Sequence, residues 1–184
     1  DKLGGNIGSQ DQYLCSMGGS RLLRFFEHGI KDMSISLKLM EPLQEHLMLF
    51  DTHQYRLAGD VVAHQLAEMK KHKKLLTRMA EMVAEGLQAI MEANMTAFGQ
   101  LLHESWQMKR QLSKHVSTPA IDSIYEAGMK AGAIGGKLLG AGGGGFIIFF
   151  AEPDKQEAIR QALSELTYVS CKFEQEGTKV IYHD

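Results

Sequence analysis

The chain has 184 residues, 44% of them hydrophobic and 23% charged, which is too apolar for a disordered chain and long enough for one good core or two small ones. Its formal net charge is −2, so no global electrostatic term draws it to nucleic acid or to an anionic membrane surface. The longest apolar run, Phe146 to Ala151, falls far short of the ~20 residues that span a bilayer as a helix.

Cys15 and Cys171 have neither CxxC nor Cys/His zinc spacing and read as buried thiols in a reducing cytoplasm. No basic-then-apolar segment opens the sequence, and a soluble, cytoplasmic protein without nucleic-acid or membrane partners is the expectation. The first residues, "DKLGGNIGSQDQYLCSMGGS", lack a methionine and are already rich in glycine. They suggest the back part of something longer.

From Gly8 to Met17 the pattern predicts a short helix after a glycine turn, ended by Gly18-Gly19. "RLLRFFEHGIKDMSISLKL" predicts a hairpin, with one strand from Arg21 to Glu27, a turn at His28-Gly29 and a second strand from Asp32 to Leu39. In that strand Met33, Ile35, Leu37 and Leu39 alternate with polar neighbours. Two strands alone are marginal, so this hairpin expects a partner sheet and, left open, invites self-association into a homo-oligomer. "EHLMLFDT" (45–52) predicts a short strand bounded by Pro42 and by the polar "DTHQYR".

Leu57 to about His115 reads as a long helical region. Leu75, Leu76, Met79, Met82, Val83, Leu87, Ile90 and Met91 recur at helical spacing, and Phe98, Leu101, Leu102, Trp106 and Leu112 continue it. Breaks near Lys71 to Lys74 and Ala93 to Met95 divide it into three helices. Trp106 and Lys109 lie three apart on one helix face, the first read as core and the second as solvated. "KKHKK" (70–74) is an exposed helix end, lacking the interleaved aromatics of a nucleic-acid patch.

"STPAIDSIYEAGMKAG" announces a helix, with Thr118 as N-cap, Pro119 at its first position, Asp122 in its first turn and Gly132 at its end. A strand from Phe146 to Ala151 follows the glycine-rich stretch. Asp154 to Leu166 then predicts an amphipathic helix, and "TYVSCKFEQEGTKVIYH" a final hairpin turning near Glu176-Gly177. The layout is α+β, with helices stacked on an antiparallel sheet.

The stretch "GGKLLGAGGGGFIIFF" (135–150) places seven glycines in eleven positions before an apolar strand. A P-loop needs G-x-x-x-x-G-K-[ST], but here Lys137 precedes the main glycine run and Leu138 follows it, leaving no hydroxyl for Mg²⁺. Gly140, Gly142 and Gly145 satisfy G-x-G-x-x-G, yet a Rossmann turn runs from strand to helix and this one runs into a strand. Two readings stay open: successive N–H groups forming an anion-binding concavity, with Lys137 adding charge, or a close crossing of backbones where side chains would clash. The eight histidines include no H-x-x-x-H pair and no cluster with the cysteines, which speaks against a protein-held transition metal.

"GAIGGKLLGAGGGGF" resembles the third signature motif of the GHMP kinases, the superfamily of galactokinase, homoserine kinase, mevalonate kinase and phosphomevalonate kinase. "IGSQDQYLCSMGG" together with "FGQLLHESWQMKRQLSKHVSTPAIDSIYEAGMKAGAIGGKLLGAGGGGFIIFF" is most similar to the D-glycero-D-manno-heptose 7-phosphate kinases of bacteria. The resemblance runs in order through "GTKVIYHD". The P-x-x-x-G-L-G-S-S phosphate loop of the family's N-terminal half does not occur in these residues, so the chain resembles the C-terminal part of such a kinase. The implied fold is the GHMP C-terminal domain, a ferredoxin-like antiparallel sheet with helices, at 43–184. Residues 1–42 would be a helix and hairpin left from the N-terminal domain.

The resemblance implies ATP as phosphoryl donor, Mg²⁺ held by residues of the missing half, a sugar phosphate as acceptor and that half as partner. It places the catalytic aspartate at Asp11 in "GSQDQY", where helix N–H groups favour the ionised carboxylate and Gln10 and Gln12 flank the acceptor. Lys137, Gly140, Gly142, Gly143 and Gly144 would line the donor phosphates, with Gly142 also beside the acceptor, where any Cβ would occlude the site. Thr52 and Arg56 of "DTHQYR" would face the acceptor, Arg56 offering a bidentate contact to a sugar phosphate. Family members often carry Thr-Gly where this chain has Thr52-His53. Two alternatives remain: another GHMP acceptor (galactose, fucose or mevalonate), or a non-catalytic module that keeps an anion-binding loop.

Overall fold

The computed structural model describes residues 9–55 and 69–182. Arg56 and the expected start of the helical region, 57–68, lie outside the described residues. Helix α1 (Gln10–Met17) ends at Gly18, and β1 (Ser20–Phe26) pairs antiparallel with β2 (Gly29–Ile35) through the turn at His28-Gly29. The second strand stops at Ile35, earlier than the alternation suggested, and Leu37 and Leu39 belong to α2 (Leu37–His46) with Pro42 inside it. Spacing explains the difference: Met40, Leu43 and His46 fall three apart and are the buried face of α2, a helical stripe whose burial outweighs the hydrogen bond that proline removes. His46 stacks on Phe150 at 5.1 Å, and its Nε2 lies 3.1 Å from Glu152 Oε2.

The chain continues through β3 (Leu47–Asp51), a 3₁₀ turn (Met69–His72), α3 (Lys73–Met91), α4 (Met95–Leu112) and α5 (Pro119–Lys130). The helical break at 92–94 falls where the spacing predicts it, and the 3₁₀ turn at Met69–His72 leads directly into α3. Asn94 Oδ1 accepts from Ala97 N at 3.0 Å and Thr118 Oγ1 from Ile121 N at 3.2 Å, each satisfying an N–H that a helix start leaves open. After α5 come β4 (Gly135–Leu138), β5 (Phe146–Phe150), a 3₁₀ turn (Pro153–Lys155), α6 (Gln156–Ala162) and β6 (Thr167–Val169). Strand β4 was not expected, because two of its four residues are glycine and the family of strand formers is thin there.

The order β4-β5-β3-β6, with every neighbour antiparallel, is the ferredoxin-like arrangement in which the first and third strands of the sheet are central. On β3 the buried residues are Met48 and Phe50, and β5 buries Ile147, Phe149 and Phe150. Trp106, Ile121 and Tyr125 cover one side of the sheet in a cluster with Met48, Phe50, Ile147 and Phe149. Met40, Leu43, Ile90 and Met95 gather around Phe150 in a second cluster. Each such side chain contributes about 1.5–3 kcal/mol by leaving water, so the sheet is fixed from both sides.

The expected final hairpin does not form: after β6 the chain runs on without a strand ladder. Phe173 packs against the second cluster, and its N–H donates to Gln44 Oε1 at 2.8 Å, which draws the segment off the sheet. It then crosses the end of α1, where Thr178 N donates to Cys15 O at 3.1 Å and Gly19 N to Glu174 O at 3.2 Å. A Cβ on Gly18 would overlap Glu176 and Gly177 backbone, and one on Gly177 would overlap Ser16. Cys15 and Cys171 are exposed rather than buried, because α1 buries none of its residues and the hairpin expected to contain Cys171 does not form.

Candidate functional site

Residues 139–145 turn the chain from β4 into β5, with Leu139 N donating to Phe146 O at 2.8 Å. Gly140, Gly142, Gly143 and Gly145 hold φ of 69°, 122°, 79° and 97°, a region where a Cβ strains the backbone. One side of the turn is closed by protein. Gly143 N donates to Val116 O at 2.9 Å, Gly145 N to Gln54 O at 2.6 Å, and Thr52 N to Gly145 O at 3.0 Å. A Cβ on Gly142 would lie 2.7 Å from Val116 O, and one on Gly144 would lie 2.7 Å from the Gln54 carbonyl carbon. The crossing of backbones is by itself enough to require these two glycines. The other side is open: among the described residues nothing lies within 4 Å of a Cβ built on Gly140 or Gly145.

Two lysines stand beside this turn. Lys137 is half-buried on β4 between buried Gly136 and Leu138, and Lys109 is half-buried on α4, its Nζ donating to Gly140 O. Burial and the neighbouring charge of Lys137 pull the Lys109 ammonium down to about 8, and burial lowers Lys137 as well. Among the described residues neither has a carboxylate partner. The expectation of a solvated Lys109 is corrected. Trp106, one turn earlier on the same face, is 0% exposed, and that placement carries Lys109 over the protein and onto the turn. The signal was in the i, i+3 spacing.

Thr52 is 2% exposed, and its hydroxyl donates to Gly145 O at 2.5 Å, so it anchors the turn to the end of β3. Gln10, Asp11 and Gln12 lie in the first turn of α1, exposed, and their side chains make no hydrogen bond or ion pair among the described residues. The structure thus gathers Thr52, Gln54, Val116, Lys109, Lys137 and the glycine turn into one site, and presents Asp11 with its neighbours on a separate open helix. No three His, Cys, Asp or Glu side chains come together among the described residues, so these offer no ready-made cage for Mg²⁺.

Residues 86–169 match the family described as "GHMP kinases C terminal". The D-glycero-alpha-D-manno-heptose 7-phosphate kinase of Campylobacter jejuni is 30% identical over 179 residues, 94% of this chain and 53% of that protein. The bifunctional fucokinase/GDP-fucose pyrophosphorylase of Arabidopsis thaliana is 30% identical over 135 residues, covering 71% of this chain and 13% of its own length. Among solved structures, a D-glycero-D-manno-heptose 1-phosphate kinase from Bacteroides thetaiotaomicron superposes with a TM-score of 0.71 at 19% identity, covering 99% of this chain and 52% of that one. The chain spans about half the length of the two heptose kinases it matches.

Proposed function

This chain belongs to the GHMP kinases by its C-terminal domain, and on that premise we propose that it is the C-terminal part of an ATP-dependent sugar-phosphate kinase. The acceptor is D-glycero-D-manno-heptose 7-phosphate, phosphorylated at its anomeric hydroxyl. The observation that carries this reading is the likeness to a heptose 7-phosphate kinase along 94% of the chain, joined to a cationic turn whose open side suits phosphate. In the proposed division, 1–42 completes the N-terminal kinase domain and 43–184 is the C-terminal one.

In this mechanism the acceptor oxygen attacks the γ-phosphorus, the bond from that phosphorus to the bridging oxygen of ADP breaks, and the hydroxyl proton passes to the Asp11 carboxylate. Asp11 suits the role because it is exposed in the first turn of α1, free to meet a substrate. Lys137 and the open backbone at Gly140 hold donor phosphate charge. Thr52 keeps the turn in place through Gly145. Mg²⁺ arriving with the nucleotide would neutralise further phosphate charge.

In the full-length enzyme Asp11→Asn lowers kcat by ~10²–10⁴ with folding intact; activity within a few-fold of the parent would remove Asp11 as the base. A coupled assay of the full-length kinase with heptose 7-phosphate, galactose, fucose and mevalonate tests the acceptor. The fucokinase likeness favours fucose as the second reading, and turnover of fucose alone would replace the first.

A further inference from the structure

We propose that Lys109 and Lys137 form a joint receptor for a phosphate monoester dianion on the open side of the 140–145 turn; the kinase reading above supplies only the identity of the molecule that carries this phosphate. The two lysines come from different elements, α4 and β4, and flank the same turn: Lys109 Nζ donates to Gly140 O, and Lys137 stands on the strand that leads into it. A lysine has three N–H donors. Lys109 spends one on Gly140, which fixes its position and leaves two to face outward.

Two half-buried ammonium groups, the charge of Lys137 acting on Lys109 and neither with a carboxylate among the described residues, destabilise a fold unless something offsets them. The charged side chains nearby are already engaged elsewhere. Arg110 pairs with Asp122 at 3.0 Å, and the same carboxylate accepts from Ser117 at 2.6 Å, so Asp122 is not available to the lysines. Two cations with several free donors match a phosphate of charge near −2 with three acceptor oxygens. A carboxylate would answer only one of them. Gly140 adds the access: its φ of 69° disfavours a side chain, and among the described residues nothing fills the space where a Cβ would stand.

In the mechanism above this place belongs to the transferable phosphoryl of the nucleotide, and the acceptor's own phosphate ester offers the same chemistry. The test uses this chain with inorganic phosphate as probe, following the ε-CH₂ resonances of the two lysines by NMR. Phosphate should shift both signals saturably, and chloride at equal ionic strength should not. Lys109→Met and Lys137→Met should each weaken phosphate binding about tenfold, their folds checked by thermal melting. If Lys137→Met fails to fold, Lys109→Met and the parent's two signals still decide.

Competition then separates the sources: displacement of phosphate by heptose 7-phosphate assigns the acceptor, displacement by a non-hydrolysable ATP analogue the donor, and either supports the receptor. Lysine signals that ignore phosphate, or binding unchanged in the variants, overturn it. The two readings fail separately. A full-length protein that binds phosphate here but phosphorylates no sugar sinks the kinase assignment alone, and an active kinase with indifferent lysines sinks the receptor alone.

Discussion

One methyl group distinguishes the two kinds of glycine in the 139–145 turn. Gly144→Ala drives its Cβ into the Gln54 backbone, and neither chain can yield without breaking the Gly145 N to Gln54 O bond. We expect a loss of about 2–4 kcal/mol. Gly140→Ala meets empty space and bears only the left-handed backbone, about 1–2 kcal/mol. Urea midpoints of the two variants measure the difference, and equal losses would mean that crossing is not what selects Gly144. Lys109 gives a pH signature at the same scale. Its folded pKa, about 8, lies below the ordinary 10.5, so the folded state resists protonation of this group. The associated stability is present above 10.5 and is lost as pH falls through 8. Lys109→Met should therefore be stabilised relative to its parent at pH 7, with the gap closing between pH 8 and 10.5 in parallel denaturant titrations.

At the scale of elements, what the sequence made legible was what periodicity and capping control. The break at 92–94, the Thr118-Pro119 start and the alternation of β3 were readable because local burial and caps agree with the final packing. What escaped were elements decided by neighbours. Strand β4 carries Gly135 because a Cβ there would overlap Gly99 O on α4; the close approach that makes it a strand also strips it of strand-forming residues. Phe173 looked like a hairpin residue and is claimed instead by the α2 cluster. The cationic site was half legible: Lys137 lies within a recognisable motif, whereas Lys109 needed the fold to bring α4 against β4. Phe149, wholly buried and packed edge-on to Phe50 with centroids 6.1 Å apart, joins these elements. Phe149→Ala should lower stability by about 3–5 kcal/mol in chemical denaturation, with far-UV helicity retained below the transition.

For the whole molecule, the two sheets have different surroundings. The four-stranded sheet is packed by its helices, whereas the β1-β2 hairpin leaves Phe25, Phe26 and Met33 51%, 57% and 48% exposed. We expect concentration-dependent association through these residues, reduced when Phe25 and Phe26 are both changed to Ser; light scattering that shows a monomer for the parent at high concentration would refute it. The segment that crosses α1 links the far ends of the sequence, since Gly18 and Gly177 admit each other's backbone only for lack of side chains. Gly177→Val should speed amide exchange along α1, ahead of any change in the sheet. Any change along 174–178 acts on that same seam, so the helix bearing Asp11 is best assayed in protein whose crossing segment is left unaltered.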